Sequence, residues 1–156
     1  MDLYERAEKI KNFLAEKISY TLQAAVVLGS GLGSFAEEIE ADFEIPYSDI
    51  EGFPVSTVPG HKGRLIFGKT GGKNIVAMQG RFHFYEGCSA QDISLPVRVF
   101  QLLGIKNYIV TNAAGAVNFS YKPGDLMIIN DHIGLFCPSV LTGENDERFG
   151  TRFRSM

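Results

Sequence analysis

Three side chains that can grip an anion stand at alternate positions in Gly80-Arg81-Phe82-His83-Phe84-Tyr85-Glu86-Gly87. If residues 81–85 are extended, Arg81, His83 and Tyr85 share one face, and Phe82 and Phe84 turn the other way to anchor the segment in the core. That face delivers a guanidinium, an imidazole and a phenol together. Arginine offers planar, bidentate recognition of phosphate, and a nearby histidine can donate a further hydrogen bond. An amphipathic edge strand with solvated polar residues fits the same spacing, but the flanking glycines favour a binding role.

A second anion-binding signal is Leu28-Gly29-Ser30-Gly31-Leu32-Gly33, which follows a short apolar run. Glycines let the backbone approach a ligand closely, and a helix start beyond them would supply free N–H groups. Ser30 adds a hydroxyl that can donate to an anion oxygen. Spacing removes three better-known loops. A Walker loop needs Gly-Lys-Ser/Thr, and no lysine is present. The dinucleotide fingerprint needs glycine where Ser34 stands. The nucleophile elbow of a serine hydrolase needs glycine where Leu28 stands. A mere tight turn remains open for this loop taken alone.

Other segments carry weaker signals. Gly60-His61-Lys62-Gly63-Arg64 is a cationic, glycine-bounded turn that fits a mobile gate over an anion and a plain hairpin equally well. Thr111-Asn112-Ala113-Ala114-Gly115-Ala116 ends an apolar run in small residues, where backbone N–H groups could line a pocket at a strand's carboxyl end. His132, after Asp131, reads as a structural histidine. The three histidines lack HExxH spacing and the two cysteines form no cluster with them, so no metal site is expected.

These residues need a scaffold. Leu3, Ala7, Ile10, Phe13, Leu14 and Ile18 recur at helical spacing over residues 2–18. Ala24 to Leu28 reads as a buried strand, and Phe35 to Ile39 as a short helix. Arg64 to Phe67 and Asn74 to Gln79 read as strands joined by the turn Lys69-Thr70-Gly71-Gly72. Ser89 and Asp92 have capping-box spacing before a helix that buries Ile93, Val97, Phe100 and Leu103 and stops at Gly104. Pro96 should kink that helix or mark its first turn. Tyr108 to Asn112 and Leu126 to Asn130 complete the expected strands. Interleaved strands and helices make the class α/β.

The bulk composition bounds the rest. The chain's 156 residues, 45% of them hydrophobic, suffice for one core. A net charge of −3 leaves no footprint for nucleic acid or anionic membrane. No apolar run reaches the roughly 18 residues of a membrane span, and the first residues lack a signal-peptide pattern. Cys88 and Cys137 form no CxxC, which suits a reducing, cytoplasmic setting.

With these residues in view, the chain resembles the trimeric type of purine nucleoside phosphorylase. The resemblance rests on Gly29–Gly33, Gly52-Phe53-Pro54-Val55-Ser56-Thr57-Val58-Pro59-Gly60-His61, Gln79–Gly87, Thr111–Gly115 and Asn145-Asp146-Glu147-Arg148-Phe149-Gly150. It implies a mixed central β-sheet flanked by helices. It also implies a pentosyltransferase of purine salvage that cleaves purine (deoxy)nucleosides reversibly with phosphate. By the same resemblance Ser30, Arg81, His83 and the Ala113 backbone N–H would hold inorganic phosphate, with Arg81 and His83 carrying the chemistry. His61 would flank the phosphate entrance and Tyr85 would sit by the ribose. Phe153 would lie over the ribose of a neighbouring subunit in a homotrimer. No cofactor or metal is implied, since inorganic phosphate is a co-substrate.

The family is about twice as long as this chain. Residues 1–156 are therefore expected to be the N-terminal portion of a single phosphorylase domain, with the purine-recognising C-terminal half absent. A non-catalytic phosphate-binding fragment or assembly module is the alternative that this departure raises.

Overall fold

Five strands form one mixed sheet in the computed structural model, which describes residues 1–55, 62–131, 133–135 and 137–152. The strands are β1 (Ala24–Leu28), β2 (Glu40–Pro46), β3 (Arg64–Thr70), β4 (Lys73–Gln79) and β5 (Asn107–Val110), in the order β2-β3-β4-β1-β5. β1 lies between β4 and β5 and runs parallel to both. β2, β3 and β4 form an antiparallel meander. Gly71 and Gly72 both take positive φ in the tight β3–β4 turn, where their missing Cβ permits the reversal.

Alternation along the strands divides the core in two. Ala25, Val27, Leu65, Phe67, Val76 and Met78 point to the face covered by helices α1 (Leu3–Ala15) and α2 (Ala90–Leu102). Leu28, Ile66, Ile75 and Ala77 point to the other, where the 3-10 helix Gly33–Glu38 contributes Ala36. β3 and β4 are buried on both faces, which is why they read as nearly continuous apolar runs.

The helices end where local chemistry dictates. Asp2 and Glu5 form a capping box at the start of α1, as Ser89 and Asp92 do at α2. Pro96 marks neither the beginning of α2 nor a break in it. The capping box starts the helix at Ala90, six residues upstream, and the chain stays helical through the proline. At the far end, Gly104 N–H donates to Gln101 O and Ile105 N–H to Phe100 O, with Gly104 left-handed at φ 80°. That is a Schellman closure. The buried stripe of α2 also differs from expectation: Leu95, Val99 and Phe100 are buried, and Val97 faces solvent. α1 stops at Ala15, before Ile18.

One strand is unforeseen and one expected strand is absent. β2, a polar edge strand with only Ile45 buried, gives almost no apolar alternation in the sequence. Leu126 to Asn130 forms no strand: Leu126 and Ile128 are almost fully exposed, and the segment pairs with none of the strands described. Among the described residues from 111 to 146 there is neither helix nor strand.

Candidate active site

The sheet topology gathers the candidate residues. β1, β4 and β5 are parallel neighbours, so their carboxyl ends at Leu28, Gln79 and Val110 lie on one edge. From β1 the chain leads to the 3-10 helix on one face of the sheet. From β4 it leads to α2 on the other. Adjacent parallel strands whose connections diverge in this way open a crevice at their carboxyl ends. The glycine loop, the 80–87 segment and Thr111 to Ala113 all begin there.

Thr111 joins the three. Its N–H continues the β1 ladder by donating to Val27 O at 3.1 Å. Its hydroxyl donates to the same carbonyl at 2.8 Å and accepts from Gly29 N–H at 2.9 Å. Its carbonyl accepts from Arg81 Nη1 at 2.9 Å. Gly29 lies so close that a Cβ there would stand 2.1 Å from Thr111 O. This glycine is required by close approach, whereas Gly31, at φ 87° with open space around it, is suited by its backbone conformation.

Arg81 and His83 come together as expected. Arg81 Nε donates to His83 Nε2 at 3.2 Å, and the other ring nitrogen, Nδ1, meets Glu86 Oε1 at 2.5 Å. A guanidinium can only donate and a carboxylate can only accept. The imidazole is therefore assigned as the Nδ1–H tautomer, with its Nε2 lone pair towards Arg81. Glu86 also accepts from the His83 main-chain N–H at 3.1 Å, and its side chain is almost wholly buried. Phe82 is buried against Tyr47 and Phe53.

The extended reading fits His83, at φ −128° and ψ 151°, but fails at 84. Phe84–Glu86 is a 3-10 turn, closed by the left-handed Gly87. Tyr85 consequently does not continue a strand face. It stacks on the His83 ring, with centroids 4.5 Å apart, and is largely exposed. Phe84 is exposed as well, so Phe82 alone provides the apolar anchor. The reason is the Glu86 carboxylate, which pulls the chain into a turn by capping His83.

Ser30 is exposed in the turn after Gly29. The element beyond the loop is a six-residue 3-10 helix rather than an α-helix, so the expected helix-start contribution is short. Ala113 is exposed just beyond Thr111. His61, His132 and Phe153 lie outside the described residues, as do Ser56 to Gly60.

Three residues that organise the site gave no strong signal in the sequence. Glu86 follows His83 by three, the spacing of a cap, which is the one clue it offered. Thr111 reads only as a strand end. Gln79, buried at the end of β4, donates from Nε2 to Gly33 O at 2.8 Å and accepts at Oε1 from Arg64 Nε at 2.7 Å. Its amide thus ties the end of the glycine loop to the start of β3. Near the site, burial pushes the Cys88 thiol above its ordinary range, with Glu86 and Asp92 adding to the effect. Cys88 is not a ready nucleophile. Among the described residues no cluster of histidine, cysteine and carboxylates could hold a metal ion, and no helix is long and apolar enough to cross a membrane.

Comparison with known proteins matches this architecture. Residues 23–156 match the phosphorylase superfamily. The chain is 53% identical over 149 residues to purine nucleoside phosphorylase 1 of Geobacillus stearothermophilus, covering 96% of this chain and 54% of that protein. It is 48% identical over 156 residues to the Mus musculus purine nucleoside phosphorylase, covering 98% and 54%. The Schistosoma mansoni purine nucleoside phosphorylase solved in complex with inosine superposes with a TM-score of 0.85 at 43% identity, covering 97% of this chain and 54% of that one. The chain spans about half the length of the curated relatives it matches.

Proposed function

The chain belongs to the phosphorylase superfamily, and on that premise we propose that it serves the reversible phosphorolysis of purine (deoxy)nucleosides to purine base and (deoxy)ribose 1-phosphate. The observation that carries this reading is the Arg81–His83 pair, held beside the glycine loop at the carboxyl ends of three parallel strands. The names of the relatives point to the same substrates.

In this reading Arg81, His83, the Ser30 hydroxyl and the Ala113 N–H hold inorganic phosphate, with His61 at its entrance. Arg81 supplies fixed positive charge. With Nδ1–H committed to Glu86, His83 Nε2 exchanges its Arg81 Nε donor for a protonated phosphate oxygen when the anion binds. The glycosidic bond loosens towards an oxocarbenium-like sugar as the purine leaves with the bonding electron pair. Oriented phosphate stabilises that cation and then captures it at C1′, forming the new C–O bond. Tyr85, stacked on the His83 ring and largely exposed, contacts the ribose in this reading. No cofactor beyond co-substrate phosphate is invoked, and the setting is cytoplasmic. The functional assembly is a homotrimer in which Phe153 reaches a neighbouring subunit's site.

The span of about half the relatives' length favours one second reading, a phosphate-binding or assembly module without turnover. Phosphate-dependent release of hypoxanthine from inosine separates the two. Turnover by this chain supports the enzyme. Saturable phosphate binding without turnover supports the module.

A further inference from the structure

The structure assigns to Thr111 the role of positioning residue for the anion site: its hydroxyl fixes the glycine loop and its carbonyl fixes Arg81, so both sides of the site share one frame. The inference rests on the proposed phosphate site and adds a residue that never touches the anion.

The geometry is specific. Thr111 Oγ1 spends its one proton on Val27 O at 2.8 Å and offers a lone pair to Gly29 N–H at 2.9 Å. That hydroxyl has no rotational freedom left, because turning it away from Val27 O leaves its proton without that acceptor. Gly29 N–H is the first donor after β1, so fixing it sets where Ser30 begins. The Thr111 carbonyl orients the Arg81 guanidinium through Nη1 at 2.9 Å, while Nε is directed to His83. Gly29 stands against that same carbonyl too closely to admit a Cβ. A shift of Thr111 therefore moves the serine and the arginine relative to each other. Anion affinity depends on both meeting one ligand.

The test compares Thr111→Val, which keeps the β-branched shape and removes the hydroxyl, with Thr111→Ser, which keeps the hydroxyl and removes a methyl. Affinity for inorganic phosphate is measured by calorimetry on the whole chain, at a temperature where circular dichroism shows each variant folded. The valine variant should bind phosphate about tenfold more weakly, since it orphans Gly29 N–H, and the serine variant should stay within about twofold of the parent. A merely structural threonine predicts the opposite order of tolerance, or no change in either. Valine binding as tightly as the parent, or serine as weakly as valine, overturns the assignment. Amide exchange in the parent protein gives a measurement independent of folding in the variants: Gly29 N–H should exchange slowly with or without phosphate, and fast exchange overturns the assignment. If the parent binds no phosphate, the proposed anion site itself falls, a failure distinct from any ordering of the variants.

Discussion

Glu86 holds His83 twice, accepting from its main-chain N–H at 3.1 Å and meeting its Nδ1 at 2.5 Å. The two contacts fix the ring's orientation and its tautomer together, and the second ring nitrogen is left to face Arg81. Glu86→Ala should release both. Nitrogen NMR of the imidazole should show the Nδ1–H form in the parent and a mixture richer in Nε2–H in the variant. Phosphate affinity should fall several-fold, and Glu86→Gln, whose amide oxygen can still accept from Nδ1, should retain more of it. An unchanged tautomer in the alanine variant would remove Glu86 from the site.

The two glycines of the first loop should fail for different reasons. In Gly29→Ala the new methyl meets Thr111 O at 2.1 Å, Thr111 C at 2.8 Å and Asn112 Cα at 3.0 Å, all backbone atoms that must move. Overpacking of that kind costs on the order of 3 kcal/mol. Gly31→Ala meets nothing within 4 Å but must hold φ near 87°, which costs about 1 kcal/mol. Denaturant unfolding of the two variants should rank them in that order.

Legibility in the sequence followed the range of the interaction. β1, β4 and the Ser89 cap depend on local apolar runs or on a three-residue spacing, and each lies where the residues indicate. The Arg81–His83 pair was legible because two residues at spacing two share a face. Tyr85 was misplaced because a buried carboxylate three residues from His83 outweighs alternation. Thr111 and Gln79 stand in recognisable segments, but their contacts are not legible because the partners lie 82 and 46 positions away, at Gly29 and Gly33. β2 was missed because an edge strand with one buried residue gets its order from pairing with β3.

Acid should loosen the clamp that joins the two helices to the turn before Phe53. Arg6 donates from Nη1 to Asp92 at 2.7 Å and from Nε to Gly52 O at 2.6 Å. Burial raises the Asp92 carboxyl, but hydrogen bonds from Ser89 and Arg6 outweigh it and hold the group below its ordinary value. A depressed carboxyl stabilises the fold above its unfolded pKa, and that stability is lost as pH falls through the folded value. Arg6→Ala should cost about 1–2 kcal/mol at neutral pH. It should also make acid unfolding shallower below the ordinary carboxylate range. A variant that loses stability equally at all pH values would show that the arginine acts by packing alone.

Tyr47 predicts the complementary behaviour in alkali. Its hydroxyl donates to Gly80 O at 2.7 Å, just before Arg81, and its ring packs in one cluster with Phe53 and Phe82. Burial pushes the phenol far above its ordinary 10.0. The folded state therefore keeps a proton that the unfolded chain gives up. Stability from this group is complete below the unfolded value and declines as pH rises above it towards the folded one. Tyr47→Phe keeps the aromatic packing but leaves the Gly80 carbonyl without this donor, at a cost of about 1–2 kcal/mol near neutrality. The loss of stability above pH 10 should be shallower in the variant than in the parent. Urea midpoints at pH 7 and at alkaline pH measure both effects, and an alkaline slope identical in the two proteins would show that this phenol is free to ionise in the folded state.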